Sequence, residues 1–381
     1  MKQGWEYKKL GEVCHITMGQ SPDGKSINDN EGVEFHQGKT CFGERTLGVS
    51  ILFSNAPVKL AEAHSVLLCV RAPVGYPNIT NRKICIGRGL CALYAKKDID
   101  NTFLFYSLLG KQSHFEKNAT GSTFKAISSK VISNTEIPLP PKSIQLAIVS
   151  ELDKINELIR LKKEQLKDYD NLAQSIFYEM FGDPVENEKG WEVKKMKDVC
   201  THIVDCPHST PKKADTTTNY PCIRTSELKG GTISWSTMQY LEKDEYEKRI
   251  ARLKPETGDI IFGREGTIGD AVILPSGYNF SLGQRTMLIR TDNEMIINTF
   301  MHRTLMSEWI KHQIEYVNVS STVAHVNIKD FKLFDVPLPP LPLQHLFAQR
   351  IEQIERQKSA VQKSITDLET LLASRMQYWF E

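Results

Sequence analysis

Gly19-Gln20-Ser21-Pro22-Asp23-Gly24-Lys25-Ser26 fits the phosphate-cradling pattern GxxxxGK[ST]. That pattern works when a glycine loop and the start of the next helix aim backbone amides at a phosphate. It needs a strand before it and a helix after it. The residues that follow, Ile27 to Gly32, are turn formers, and no apolar strand ends in a Mg²⁺-binding aspartate. The octet therefore reads as a polar loop. Gly87-Arg88-Gly89-Leu90-Cys91-Ala92 fits GxGxxA, but no acidic residue of a clear βαβ unit sits about twenty positions on, so it reads as a turn. The chain has no GxSxG, no HExxH and no Asn-Pro-Pro-Phe-type loop, and its ten histidines are dispersed. His302, on a helical stretch, reads as a surface or capping residue. No catalytic constellation and no metal-ligand spacing emerges.

The remaining chemistry is that of base edges. Arg and Lys match guanine, and Asn and Gln match adenine, in two-pronged geometry. In the first half of the chain such side chains fall on loops holding Gln37, Lys39, Arg45, Arg71, Ser122, Thr123 and Lys125. In the second half they are Arg224, Thr225, Arg264, Gln284, Arg285, Ser321, Thr322 and His325. Lys39, Lys125, Lys212 and Lys213 suit phosphate contacts, which give affinity without sequence information. The formal net charge of +2 neither demands nor excludes nucleic acid, so any basic surface must be local.

The elements that must position these loops occur twice. IPLPP (137–141) and VPLPP (336–340) each precede a long helical pattern, offset by 199 positions. In the first copy Ile148, Leu152, Ile155, Ile159, Lys162, Leu166, Tyr169, Ala173, Ile176 and Met180 alternate steps of 4 and 3. In the second, Phe347, Ile351, Ile354, Lys358, Val361, Ile365, Leu368, Leu372, Arg375 and Trp379 do the same. Such a narrow apolar seam is that of helices paired as a coiled coil, and each copy is the simplest partner for the other. The prolines place each helix start after PLPP. GWEYKKLGEVC (4–14) and GWEVKKMKDVC (190–200) open the two halves. Short β-branched runs at 65–70, 258–262 and 271–274 read as strands, and 102–109 and 296–309 as helices. Phe181-Gly182-Asp183-Pro184 is a helix stop.

The expected fold is therefore α+β: two similar globular domains separated by two long helices that form an antiparallel coiled coil, with a pseudo-twofold internal repeat. The expected domains are 1–140, a helix over 141–182, then 183–339, and a helix over 340–381. Two similar units related by such an axis fit the inverted half-sites of a DNA duplex. No run of 18 apolar residues predicts a membrane span and no apolar leader is seen. Eight cysteines without CxxC fit free thiols in a reducing cytoplasm.

Over essentially its full length the chain resembles the specificity subunits of type I restriction–modification systems. The likeness rests on GWEYKKLGEVCHITMGQSP (4–22), FHQGKTCFGE (35–44), GSTFKAIS (121–128), DCPHSTP (205–211), YPCIRTSEL (220–228), GDIIFGREGTIGD (258–270) and the two PLPP-helix segments. Cys206 stands where the family commonly has glycine in an Asp-Gly-x-His loop. The resemblance implies a non-catalytic DNA reader. Each target-recognition domain would read half of a bipartite asymmetric site through the major groove, with the helices as a ruler for the gap. Two methyltransferase subunits would dock on it, and restriction (motor-nuclease) subunits would join them. S-adenosylmethionine, ATP and Mg²⁺ would be bound by those partners, and no cofactor by this chain. The competing readings are an ATP-binding protein using Gly19–Ser26 and a coiled-coil scaffold that binds no DNA.

Overall fold

A computed structural model of the 381-residue chain describes residues 4–121, 125–183, 185–266, 268–318 and 325–380. The two long helices run Lys142–Phe181 and Leu341–Phe380, each starting on the residue after PLPP. Pro342 lies in the first turn of the second, where a missing N–H costs nothing. Gly182 ends the first with φ +77, and its amide bonds the Tyr178 carbonyl at 2.8 Å, a left-handed glycine stop. The chain divides into two compact units, 1–164 with 362–381, and 165–361. The expected division into bodies and separate helices does not follow this grouping, because each long helix is shared between the units.

In the first unit, residues 142–164 and 362–380 run antiparallel. Glu151 takes the Arg375 guanidinium and the Trp379 indole N–H, while Lys163 pairs with Glu369. Trp5 stacks on Trp379 with centroids 5.9 Å apart. In the second unit Lys358 bonds Asp170 at 2.7 Å, and Phe177 and Phe181 pack on Phe347 with centroids 5.7 and 5.2 Å apart, again antiparallel. The expected seam is the buried one. Ile148, Leu152, Ile155, Ile159, Ile351, Ile354, Val361 and Ile365 are buried, and Leu166 and Leu368 half-buried. Ala173 and Met180 of the seam are buried too, and near the C-terminal ends burial spreads one residue along, to Phe177, Phe181 and Phe380. A 3.6-residue helix drifts off a 3.5-residue seam by about 20° per heptad, and here the drifted face meets the globular body.

The two units repeat one topology. The first holds an antiparallel sheet ordered Cys14–Met18, Leu90–Ala95, Val66–Cys69, Pro77–Ile79. The second holds one ordered Cys200–Asp205, Thr286–Thr291, Ile260–Gly263, Ala271–Ile273. The opening segment pairs with the strand leading into PLPP in both, Glu6–Lys9 with Glu136–Leu139 and Glu192–Lys195 with Asp335–Leu338. Each unit also has a parallel pair the sequence did not reveal, Val33–His36 with Ile84–Ile86 and Pro221–Ile223 with Ser281–Leu282.

The helix expected over 296–309 is two helices. Asn298–Leu305 stops, and Glu308–Asn318 starts after a turn closed by Ser307 bonding the Thr304 carbonyl. His302 is not a surface residue, as expected, but a buried one. Its helix packs on Ala271–Ile273, and its Nε2 lies 2.9 Å from the Ala271 carbonyl oxygen. Burial pulls its pKa down to about 4, so it is neutral at pH 7. All eight cysteines are free, and burial pushes the Cys14, Cys69, Cys91 and Cys200 thiols up to about 12, leaving them inert.

Candidate nucleic-acid interface

In the first unit, three loops pack backbone to backbone at one end of the four-stranded sheet. The Gly19 amide bonds Leu90 O at 2.9 Å, Gln20 bonds Ile86 O at 3.0 Å, and Gly89 bonds Gln37 O at 3.1 Å. Glycine is required here. A Cβ on Gly19 would sit 2.1 Å from Gly87 O, and one on Gly89 2.5 Å from Gln37 O. The strand end at Val70–Ala72 joins the group through Val70 N to Gly89 O and Ala72 N to Lys125 O. Ser21 Oγ donates to Gln37 Oε1 at 2.9 Å and accepts from Arg88 N at 3.4 Å. This brings Gln37, Arg71 and Lys125 together with Arg88, all exposed. Among the described residues, the side chains of Arg71, Arg88 and Lys125 make no ion pair. Arg88 was missed, although its Gly-Arg-Gly turn was the visible signal. The Gly19–Ser26 octet supplies one edge of this cluster. Gly24–Ser26 is a 3-10 turn capped by Asp23, and the strand Ile27–Asn28 follows it, so no helix N-terminus faces a phosphate.

Arg45 lies elsewhere. It bonds Asp153 on the long helix at 2.7 Å and Thr102 at 3.0 Å, and Asp153 also accepts from Tyr106 at 2.6 Å. Burial and Asp153 together push the Tyr106 phenol up, keeping it a donor. Arg45 is thus a brace between its loop and the helix. Lys39 is exposed, its ammonium 4.8 Å from the centre of the Tyr76 ring.

The second unit gathers its loops at the corresponding sheet end. Cys206 N bonds Thr286 O, Arg264 N bonds Arg285 O, and Val326 N bonds Arg264 O. Gln284 Nε2 donates to His208 O at 2.6 Å, and Arg285 lies 3.3 Å from Glu265. Arg285 has φ +66 and an exposed side chain, while Gln284 and His325 are half-exposed. His208, exposed and 3.3 Å from Asp205, was missed as a candidate, though its loop was legible. Cys206 has no positive φ and is fully buried, so this turn needs no glycine.

Two candidates in this unit are not on exposed loops, contrary to expectation. Arg264 is 8% exposed because Asp205, 3.3 Å away, draws it inward. Arg224 is held by the fully buried Glu227 through Nη2 at 2.7 Å, and the adjacent Thr225 lies half-buried in the same 3-10 turn. Arg224 spends its guanidinium fork on Glu227, which leaves it structural, while Arg264 is held by charge alone, its Nε facing Asp205 and its Nη2 3.8 Å from Glu265. Lys212 and Lys213 are exposed. Ser122, Thr123, Ser321 and Thr322 fall outside the described residues.

Both units thus present the same surface: short loops fixed by backbone hydrogen bonds, displaying Gln, Arg, Lys or His of different identity. The profile of the type I restriction modification DNA specificity domain matches residues 2–168 and again 188–370. The chain belongs to that family. Its role is therefore DNA sequence specificity and not catalysis. It is 39% identical over 178 residues to the putative type I restriction enzyme MjaX specificity subunit of Methanocaldococcus jannaschii, a match covering 46% of this chain and 42% of that protein. It is 22% identical to the MjaVIII specificity subunit of the same organism, over 97% of this chain and 92% of the relative. A crystal structure of the S subunit from M. genitalium superposes with TM-score 0.56 at 14% identity, covering 100% of this chain and 98% of that one. A chain from a study of type I complex assembly gives TM-score 0.62 at 17% identity, with coverage of 100% and 98%. These two show a shared fold. Among the described residues no helix is long and apolar enough to cross a membrane, and no group of three His, Cys, Asp or Glu could hold a metal ion.

Proposed function

We propose that each unit reads one half of a split, asymmetric DNA sequence through the major groove, and that the paired long helices set the gap between the halves. The observation that carries this reading is the duplicated loop cluster. One scaffold is built twice, and the side chains displayed differ: Gln37, Arg71, Arg88 and Lys125 in one unit, His208, Gln284, Arg285 and His325 in the other. Unlike readers on like scaffolds recognise unlike half-sites. Lys39, Lys212 and Lys213 add phosphate contacts, so binding weakens as salt rises.

Two methyltransferase subunits dock on the helices, and restriction subunits join that complex in the cytoplasm. Support comes from apolar side chains left bare on the helices, Leu146 at 49% and Leu158 at 47% exposed in the first unit, Leu172 and Leu346 in the second. S-adenosylmethionine, ATP and Mg²⁺ belong to those partners. Methylome sequencing of the host with and without this gene tests the proposal. Loss of methylation at one bipartite asymmetric sequence supports it, and an unchanged methylome refutes it.

A further inference from the structure

In the first unit, the segment 47–52 displays Val49 at 76% and Ile51 at 82% exposure, with Ser50 between them at 6%. Single exposed apolar residues are ordinary. These two are held out by a built scaffold. Glu34 accepts from the Ser50 amide at 2.7 Å, and Ser50 Oγ accepts from the Leu52 amide at 3.1 Å. Arg82 grips Glu34 and donates to the carbonyls of Leu47 at 3.3 Å and Gly48 at 2.8 Å. Burial opposes ionisation of Glu34, but hydrogen bonds from Arg82, the Ser50 amide and His36 outweigh it and hold the carboxyl at about 2. The scaffold therefore stays charged and intact at neutral pH. Phe35 N bonds Leu52 O at 2.7 Å, which ties the segment to the strand Val33–His36 that leads into Gln37 and Lys39.

We propose that Val49 and Ile51 are sequence-reading side chains that take thymine C5-methyl groups in the major groove beside the Gln37 loop. Apolar contact is how a protein recognises that methyl, which no other base presents there. Two positions along the chain span at most about 7 Å. Two base steps of one strand span about the same at 3.4 Å each. The two residues therefore address thymines up to two steps apart, within one half-site. The inference rests on the reading of this unit as a DNA reader.

The test uses the full chain assembled with its host methyltransferase subunits, on duplexes carrying the sequence found by methylome sequencing. Each thymine is replaced in turn by uracil, which lacks only the methyl group. Burying one methyl is worth about fourfold in affinity. Wild type should lose about fourfold at one or two positions of a single half-site. Val49→Ser or Ile51→Ser should abolish that loss while keeping discrimination at the other half-site, which reports an intact fold. The proposal is overturned if every uracil substitution is neutral in wild type, if both variants keep full uracil discrimination, or if that half-site contains no A·T pair. Variants that shed methyltransferase subunits with all uracil effects absent would instead make the segment a protein contact. A complex with no preference for the cognate duplex over random DNA would sink the DNA reading itself, and is told apart by that control.

Discussion

One glutamine in each unit pins its long helix to its globular body. Gln145 is fully buried, the fourth residue of its helix. Its Nε2 donates to Asp98 O and Pro140 O, both at 2.9 Å, and its Oε1 accepts from Asp100 N at 2.9 Å. Gln344 repeats this with Met295 O at 3.2 Å, Pro339 O at 2.7 Å and Ile297 N at 2.8 Å. The side chain that reaches back to an N-cap amide is the third in a helix. These glutamines are fourth, and the N-cap is a proline with no amide, so the side-chain amide turns to carbonyls and to the start of the body's helix. Gln145→Met keeps the length and removes all three bonds. An unpaired buried group costs about 1–3 kcal/mol, and the carbonyls can partly repair themselves through second lone pairs. The expected loss is therefore about 2–4 kcal/mol. Because a two-unit chain need not unfold in one step, the readout should be local. In native-state hydrogen exchange, Gln145→Met should deprotect the Asp100 amide by about 30-fold or more and leave Ile297 unchanged, with Gln344→Met doing the reverse. Unaltered protection of the amide next to the replaced glutamine would refute the pin.

Three further outcomes follow from the geometry. A double-mutant cycle on Glu151→Ala and Arg375→Ala should give a small favourable coupling that shrinks as salt rises, because both side chains are about a third exposed (33% and 30%); additive effects would remove this pair from the account. His302 is neutral in the fold down to about pH 4, whereas the unfolded chain protonates it near 6.5, so stability of the second unit should fall by about 3 kcal/mol as pH drops from 6.5 to 4 and be unaffected by this group above 6.5. A His302→Gln variant with the same pH slope as wild type would count against that. One heptad added to both long helices, after Glu164 and after Val361, adds about 10 Å and should lengthen the recognised gap by about three base pairs with both half-sites kept; methylome sequencing of the mutant checks it, and an unchanged gap contradicts the ruler.

The long helices were legible because their determinants are local and periodic: prolines before the start, a 4-3 apolar alternation, and Gly182 at the stop. The duplicated strands around Val66–Cys69 and Ile260–Gly263 were legible for the same reason. What escaped depends on pairing between distant residues. Arg45 reads as a loop cation until Asp153, 108 positions on, claims it. Arg264 reads as exposed until Asp205 draws it in. The break at Met306–Ser307 was hidden because apolar periodicity continues through it. Glu227, three residues after Arg224, is the local clue to that arginine's fate. Gln145 and Gln344 share the 199-position offset of the seams, and a polar residue kept at that spacing in two divergent copies marked the pin.

The claim at the centre is that two unlike readers act independently on one chain. The direct measurement is the methylome of a host whose copy of this gene has residues 1–140 replaced by the equivalent domain of another member of the family. One half of the methylated sequence should change and the other half and the gap should stay. A change in both halves, or in neither, would contradict the account.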